Sequence, residues 1–163
     1  MSTTRTNRNE TRIEADPKLP SIVITREFDA PPERVFRAHT DPDLVVQWLG
    51  PRRLTMRVDK FDARTGGSYR YIHSDDNGEY AFHGVFHEVR PVDRIVQTFT
   101  YEGEPDGVSL ETMTFEDLGG RTRLVAKSIC DSIEERDAVI ASGMEYGIRE
   151  AYEQLDELLS EAG

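Results

Sequence analysis

Cysteine and long apolar runs are scarce in this sequence. The chain of 163 residues has one cysteine, Cys130, so it can form neither an intrachain disulfide nor a multi-cysteine zinc site. Its apolar runs are only a few residues long, and residues 1–16 lack the apolar stretch of a signal peptide. These absences exclude a disulfide-stapled secreted scaffold and predict a cytoplasmic protein.

Basic residues are also in short supply. The chain has 20 Lys and Arg residues and 31 Asp and Glu residues, which gives a formal net charge of −11. Nucleic acids and anionic membranes are bound chiefly through Lys and Arg, so we expect neither as a partner. The chain has no phosphate-binding G-x-x-x-x-G-K-[ST] motif, because Gly66 and Gly67 are followed by Ser68 and a predicted strand.

Histidines do not form a metal-binding pattern. His83 and His87 lie four residues apart on a predicted strand, which separates them by about 13 Å, too far to reach one zinc ion. His39 and His73 stand alone and are interpreted as surface or helix-end residues. We therefore expect no metal and no cofactor.

The order of elements is readable along the chain. Residues 1–19 are polar and predict a disordered tail, and residues 20–163 form one predicted domain. A strand over 21–28 precedes two short helices that begin near Pro32 and Pro42, and six strands at hairpin spacing follow between residues 54 and 129. Capping-box patterns at Ser132 and Ser142 predict two C-terminal helices, the second over about 143–160.

These elements predict an α+β fold with a cavity. A seven-stranded antiparallel sheet needs one face covered, and the long C-terminal helix is the element able to cover it. A helix of about 18 residues spans roughly 27 Å and cannot fill the concave side of a strongly curved sheet. We therefore expect a space between sheet and helix, closed at one end by the short helices.

The sequence resembles the START-type, helix-grip superfamily, in particular its branch named after the activator of heat shock protein 90 ATPase. The resemblance rests on FDAPPERVFRAHTDPDLVVQWLGP (28–51), DARTGGSYRY (62–71), FHGVFHEVRP (82–91), TFTYE (98–102), TRL (122–124) and SIEERDAVIASGMEYGIREAYEQLDELL (132–159). It implies the helix-grip (START/Bet v 1-like) fold, with a curved seven-stranded sheet around the C-terminal helix. It implies a stand-alone ligand-binding domain more strongly than a cochaperone.

Aromatic residues at alternating strand positions are the main candidate site. A mostly apolar cavity with a few polar groups is the usual form of a small-molecule site. The residues predicted to line it are Trp48, Tyr69, Tyr71, Phe82, His83, Phe86, Phe99, Met113, Met144, Gly147 and Ile148. Glu88 shares strand parity with Phe86, and is the candidate acid or base if that face points inward. No nucleophile triad is recognisable around Cys130.

Three functions remain open from the sequence. The first is the binding of a small hydrophobic or aromatic molecule. The second is a polyketide cyclase-like or hydrolytic reaction on such a molecule, which requires an acid or base in the cavity. The third is a chaperone-associated interaction module, which predicts a filled interior and an exposed apolar patch. A homodimer is a further candidate assembly.

Overall fold

The computed structural model describes residues 9–161, which form eight strands and four helices. The strands are β1 (Arg12–Ala15), β2 (Ser21–Phe28), β3 (Thr55–Phe61), β4 (Ser68–Asp75), β5 (Gly78–Arg90), β6 (Arg94–Tyr101), β7 (Ser109–Asp117) and β8 (Thr122–Ile129). The helices are α1 (Pro32–Thr40), α2 (Pro42–Trp48), α3 (Ile133–Ala141) and α4 (Met144–Glu161). None of the helices within residues 9–161 is long and apolar enough to cross a membrane.

All eight strands belong to one antiparallel sheet in the order β1-β2-β8-β7-β6-β5-β4-β3. The α+β helix-grip architecture is confirmed, including the two short helices after strand Ser21–Phe28. The predicted strand count is wrong by one. Strand β1 lies inside the predicted tail of residues 1–19, and the rest of that tail before residue 9 lies outside the described residues.

Strand β1 forms because it covers an exposed edge. Without it, β2 would be the terminal strand of the sheet, with unpaired backbone groups. Arg12–Ala15 instead pair with residues 22–25 of β2, and Ile13 packs against the core. Arg149 of α4 donates to the Thr11 carbonyl at 2.7 Å. The sequence does not predict this strand, because the segment is polar and has no strand pattern. Backbone hydrogen bonds to β2, which do not depend on side-chain type, hold it in place.

Local signals explain most helix ends. Pro42 starts α2 behind Asp41, whose carboxylate accepts the Asp43 N–H at 3.0 Å. Ser132 caps α3 by accepting the Glu135 N–H at 3.1 Å. The predicted capping box at Ser142 is wrong: the Ser142 hydroxyl donates to the Val139 carbonyl and closes the end of α3. Gly143, with φ +88°, then turns the chain into α4.

The core lies between the concave sheet face and the C-terminal half of α4. Phe28, Leu124 and Leu155 are fully buried there. Burial of a side chain of this size stabilises the fold by about 1.5–3 kcal/mol. The N-terminal half of α4 is buried less deeply, and Met144 and Ile148 keep accessible surface. The helix therefore packs tightly at one end and leaves space beneath its other end.

Candidate functional site

A cavity of about 410 Å³ lies between the sheet and the N-terminal half of α4, next to the end of α2. Every residue predicted to line it does so except His83. The residues that border it from the predicted set are Trp48, Tyr69, Tyr71, Phe82, Phe86, Phe99, Met113, Met144, Gly147 and Ile148. Its volume falls within the range of about 300–1,000 Å³ that is usual for small-molecule sites.

Stacked aromatic rings form the sheet wall of the cavity. Tyr69 and Tyr71 alternate on β4, and their ring centroids are 5.9 Å apart. Tyr71 stacks on Phe82 of β5 at 5.4 Å, and Phe82 stacks on Phe99 at 5.4 Å. Strand alternation places these side chains on one face, and cross-strand pairing places them side by side. The wall is thus a continuous aromatic surface across three strands.

Gly84 makes this packing feasible. It pairs with Tyr69, and a Cβ on Gly84 would lie 2.7 Å from the Tyr69 ring and 2.1 Å from the Thr98 carbonyl oxygen. Because glycine has no side chain, the Tyr69 ring crosses β5 and its hydroxyl donates to that Thr98 carbonyl at 2.6 Å. The position of Tyr69 is therefore set by the backbone of two neighbouring strands.

Trp48 closes the cavity at the end of α2. Its indole N–H donates to the Ala38 carbonyl at 2.9 Å, and its ring stacks on Tyr152 of α4 at 6.1 Å. Gln154 donates to the carbonyls of Trp48 and Gly50 and ties the end of α2 to α4. Since the N–H is already bonded, Trp48 offers only its ring to the cavity.

Glu111 brings a carboxyl group into the cavity. It lies on β7, where it pairs with Gln97 of β6 and Ser128 of β8, and it borders the cavity. Gln97 donates to one Glu111 oxygen at 3.3 Å and also to the Tyr69 hydroxyl at 3.2 Å. The carboxyl group therefore belongs to a short polar network that ends on the Thr98 carbonyl.

Burial changes the pKa of the Glu111 carboxyl group strongly. Loss of contact with bulk water raises its pKa to about 7, and the hydrogen bond from Gln97 acts in the opposite direction. Glu111 is only partly buried, because its side chain borders the cavity. A carboxyl group with a pKa near neutral pH can both hold and release a proton under ordinary conditions.

Several polar atoms around Glu111 have no protein partner among residues 9–161. Gln97 contacts only one of the two Glu111 oxygens. The hydroxyls of Tyr71 and Tyr152 make no hydrogen bond within the described part of the chain, and the Glu111 charge acts on both of them. These groups would each gain a partner from a polar atom of a bound molecule.

Two histidines, His39 and His73, border the cavity. The prediction of surface or helix-end residues holds for His39, which lies in the last turn of α1, and is wrong for His73, which is buried on β4. Deep burial lowers the pKa of His39 to about 4, and burial also lowers the pKa of His73. The Val35 carbonyl can only accept, so Nδ1 of His39 donates to it at 2.8 Å and Nε2 is left as an acceptor. Both rings are neutral at neutral pH.

Glu88 and His83 lie outside the cavity, so two predicted site residues are placed wrongly. The register of β5 against β6 shifts between Phe86 and Glu88, and this bulge turns Glu88 away from the face that Phe86 shares. Glu88 pairs with Arg94 at 3.2 Å on the outer side. His83 lies on the outer face as well, where its ring contacts Glu102 at 2.8 Å.

The residue that sequence reasoning missed is Glu111. The signal was available, because Glu111 precedes the predicted cavity residue Met113 by two positions on the same strand and therefore shares its face. No group of three or more His, Cys, Asp or Glu within residues 9–161 is arranged to hold a metal ion.

Comparison with known proteins gives a match to one family over most of the chain. The family model described as Activator of Hsp90 ATPase homolog 1-like protein matches residues 29–160. No curated protein matches the sequence significantly.

Solved structures share the fold over nearly the whole chain. A Rhodobacter sphaeroides protein is 28% identical with a TM-score of 0.85, covering 93% of this chain and 99% of that one. Protein Ms6760 from Mycobacterium smegmatis is 26% identical with a TM-score of 0.83, covering 91% and 96%. Protein CV1439 from Chromobacterium violaceum is 30% identical with a TM-score of 0.77, covering 86% and 96%.

Proposed function

The chain belongs to the Activator of Hsp90 ATPase homolog 1-like family, and from this membership and the cavity we propose that it binds a small hydrophobic or aromatic molecule between its sheet and α4. The observation that carries the proposal is a cavity of about 410 Å³ walled by stacked aromatic rings. Such a surface buries an apolar ligand efficiently, and burial contributes about 25 cal/mol for each Å² removed from water.

The chaperone-associated alternative fits this interior less well. It predicts a filled interior, whereas a large space lies beneath α4. Exposed apolar side chains do occur on the outer face, including Val85 and Leu110. A chaperone partner and a homodimer therefore stay predictions, and the ligand-binding proposal needs neither.

Filling the cavity should abolish binding. Ala126 of β8 borders the cavity, and Ala126→Phe places a ring in that space without disfavouring the strand. We expect 4-phenylbutan-1-ol to change the emission of Trp48, the single tryptophan, in the unaltered protein, and to bind the Ala126→Phe variant at least about 10-fold more weakly, since contacts of several buried methylenes are lost. Fluorescence titration measures both.

The matched control is Val125→Phe. Val125 precedes Ala126 on β8 and has the opposite orientation, so a ring there lies outside the cavity. This variant should bind the alcohol like the unaltered protein. Equal affinity of the Ala126→Phe variant, or equal weakening in both variants, would contradict the proposed location.

A second candidate function is acid–base catalysis by Glu111. The enzyme alternative requires an acid or base in the cavity, and Glu111 supplies one with a pKa of about 7. If this function holds, hydrolysis of 4-phenylbutyl acetate should depend on a group that titrates near pH 7. Glu111→Gln should then reduce the rate by about 10²-fold or more while 4-phenylbutan-1-ol still binds. Equal rates for both proteins would exclude this role.

A further inference from the structure

Among the described residues that line the cavity, Glu111 and Lys127 are the charged ones, and strand alternation directs only the Glu111 side chain into the space. His39 and His73, which also line it, stay neutral because burial lowers their pKa. Burial likewise raises the pKa of the Tyr71 and Tyr152 hydroxyls, so they remain neutral. The thiol of Cys130, which also borders the cavity, is kept neutral by its raised pKa.

Neither Lys127 nor Arg26 forms an ion pair with Glu111 in the described structure. Lys127 also borders the cavity, but it alternates on β8 with Ala126 and Ser128, so its exposed ammonium lies on the opposite face of the sheet, where its charge acts on Asp16. Arg26 is bound by both carboxylate oxygens of Asp156 at 2.7 Å. Burial and the Gln97 hydrogen bond determine the shifted pKa of Glu111, and neither Lys127 nor Arg26 contributes to it.

Acceptors and ring faces surround this carboxyl group. Tyr69, Tyr71 and Tyr152 border the same cavity as Glu111, and the Glu111 charge raises the pKa of their hydroxyls. Of these, the Tyr71 and Tyr152 hydroxyls are free to accept a hydrogen bond. Trp48 stacks on Tyr152 and presents its ring, and the faces of aromatic rings attract cations. The overall charge of −11 also attracts cationic solutes to the protein.

We propose that the cavity selects an organic ammonium, with the charged nitrogen paired to Glu111 and the apolar body of the molecule against the aromatic wall. This inference rests on the proposed ligand-binding function and specifies its ligand class. An ammonium brings three N–H donors, and the unpartnered Glu111 oxygen with the Tyr71 and Tyr152 hydroxyls offers three acceptors. An anionic ligand would instead bring a second negative charge beside a carboxyl group that has no ion-pair partner within residues 9–161.

Three compounds of equal length and different charge test this selection. They are 4-phenylbutylamine, 4-phenylbutan-1-ol and 4-phenylbutanoate, titrated at about pH 8 with Trp48 emission and calorimetry as readouts. At that pH an alkylamine is protonated and Glu111 is mostly ionised. We expect the amine to bind at least about 10-fold more tightly than the alcohol, because a desolvated ion pair forms, and the acid to bind most weakly.

Glu111→Gln isolates the contribution of the carboxylate. This variant keeps the size of the side chain and should lose at least about 10-fold in affinity for the amine, while affinity for the alcohol changes by less than about 3-fold. Glu116→Gln is the matched control, because Glu116 is an exposed residue of the same strand that pairs with Arg123. It removes the same formal charge outside the cavity and should leave the order of affinities unchanged.

The outcomes separate the inference from the proposed function. If the unaltered protein binds all three compounds with equal affinity, ammonium selection is overturned and ligand binding stands. If both glutamine variants weaken amine binding equally, the preference comes from net charge and the role of Glu111 is overturned. If none of the three compounds binds, the proposed function fails together with the inference. Retained binding of the alcohol by Glu111→Gln shows that this variant is folded.

Discussion

Replacing Glu111 with glutamine is expected to raise the free energy of unfolding by about 3 kcal/mol near pH 8 and to leave it unchanged near pH 4. The pKa of this carboxyl rises from its ordinary value of 4.5 to about 7 on folding, so the folded chain holds the proton more tightly than the unfolded chain. The corresponding stability is fully present below pH 4.5 and is lost as the pH rises through about 7. The difference between 4.5 and about 7 corresponds to about 3 kcal/mol.

Urea unfolding of both proteins at a series of pH values measures this effect. Other titrating groups are common to the two chains, so the difference between their curves isolates Glu111. Gln97 can still donate to the new amide oxygen, which keeps the local network. If the free energies of unfolding of the two proteins change in parallel from about pH 4 to 8, the carboxyl group stays in contact with bulk water.

Replacing Asp156 with alanine should lower the free energy of unfolding by about 3 kcal/mol. Asp156 binds the Arg26 guanidinium through two contacts of 2.7 Å, and the Arg26 side chain is only 5% exposed. Removing one partner of a buried pair costs about 3–5 kcal/mol. The Asp156 side chain is 36% exposed, so the lower end of that range is expected.

The adjacent residue of α4 provides the control. Glu157 pairs with Arg52 at 2.6 Å, but both side chains are largely exposed. Exposed pairs contribute about 0–1 kcal/mol, so Glu157→Ala should have little effect. Denaturant titration compares the two variants. A loss below about 1 kcal/mol for Asp156→Ala would mean that the Arg26 guanidinium reaches water once its partner is gone.

The carboxylates of Asp156 and Glu111 have different surroundings. Asp156 has a guanidinium partner, so its charge contributes to folding, whereas the charge on Glu111 opposes folding at neutral pH. A buried carboxyl group such as Glu111 therefore destabilises the fold at neutral pH. Such features concentrate at functional sites, which agrees with the proposed role of Glu111 in ligand recognition.

Elements with strong local patterns were predicted from the sequence. The proline-started helices, the hairpin-spaced strands and the amphipathic pattern of α4 each reflect a local preference that the fold retains. The aromatic cavity wall was predicted for the same reason, because alternation along a strand fixes which residues share a face. Phe82 and Phe99, which alternation assigns to one face, both border the cavity.

Predictions failed where a neighbouring strand overrides the local pattern. One extra residue in β5 reverses the orientation of Glu88, and such a bulge depends on pairing with β6. The strand Arg12–Ala15 exists because β2 offers an unpaired edge. His39 borders the cavity instead of facing solvent alone because the rings of Trp48 and Phe115 pack against it.

The sequence by itself determined the order of the elements, the faces of most strands and the long helix that covers the sheet, because hydrophobic periodicity and turn residues act over a few neighbouring positions. Only the tertiary structure decided that the carboxyl group beneath α4 has no ion-pair partner among the described residues. Whether a charge is compensated depends on which side chains meet across strands β4, β6 and β7 and helix α4. A local sequence pattern does not predict those contacts.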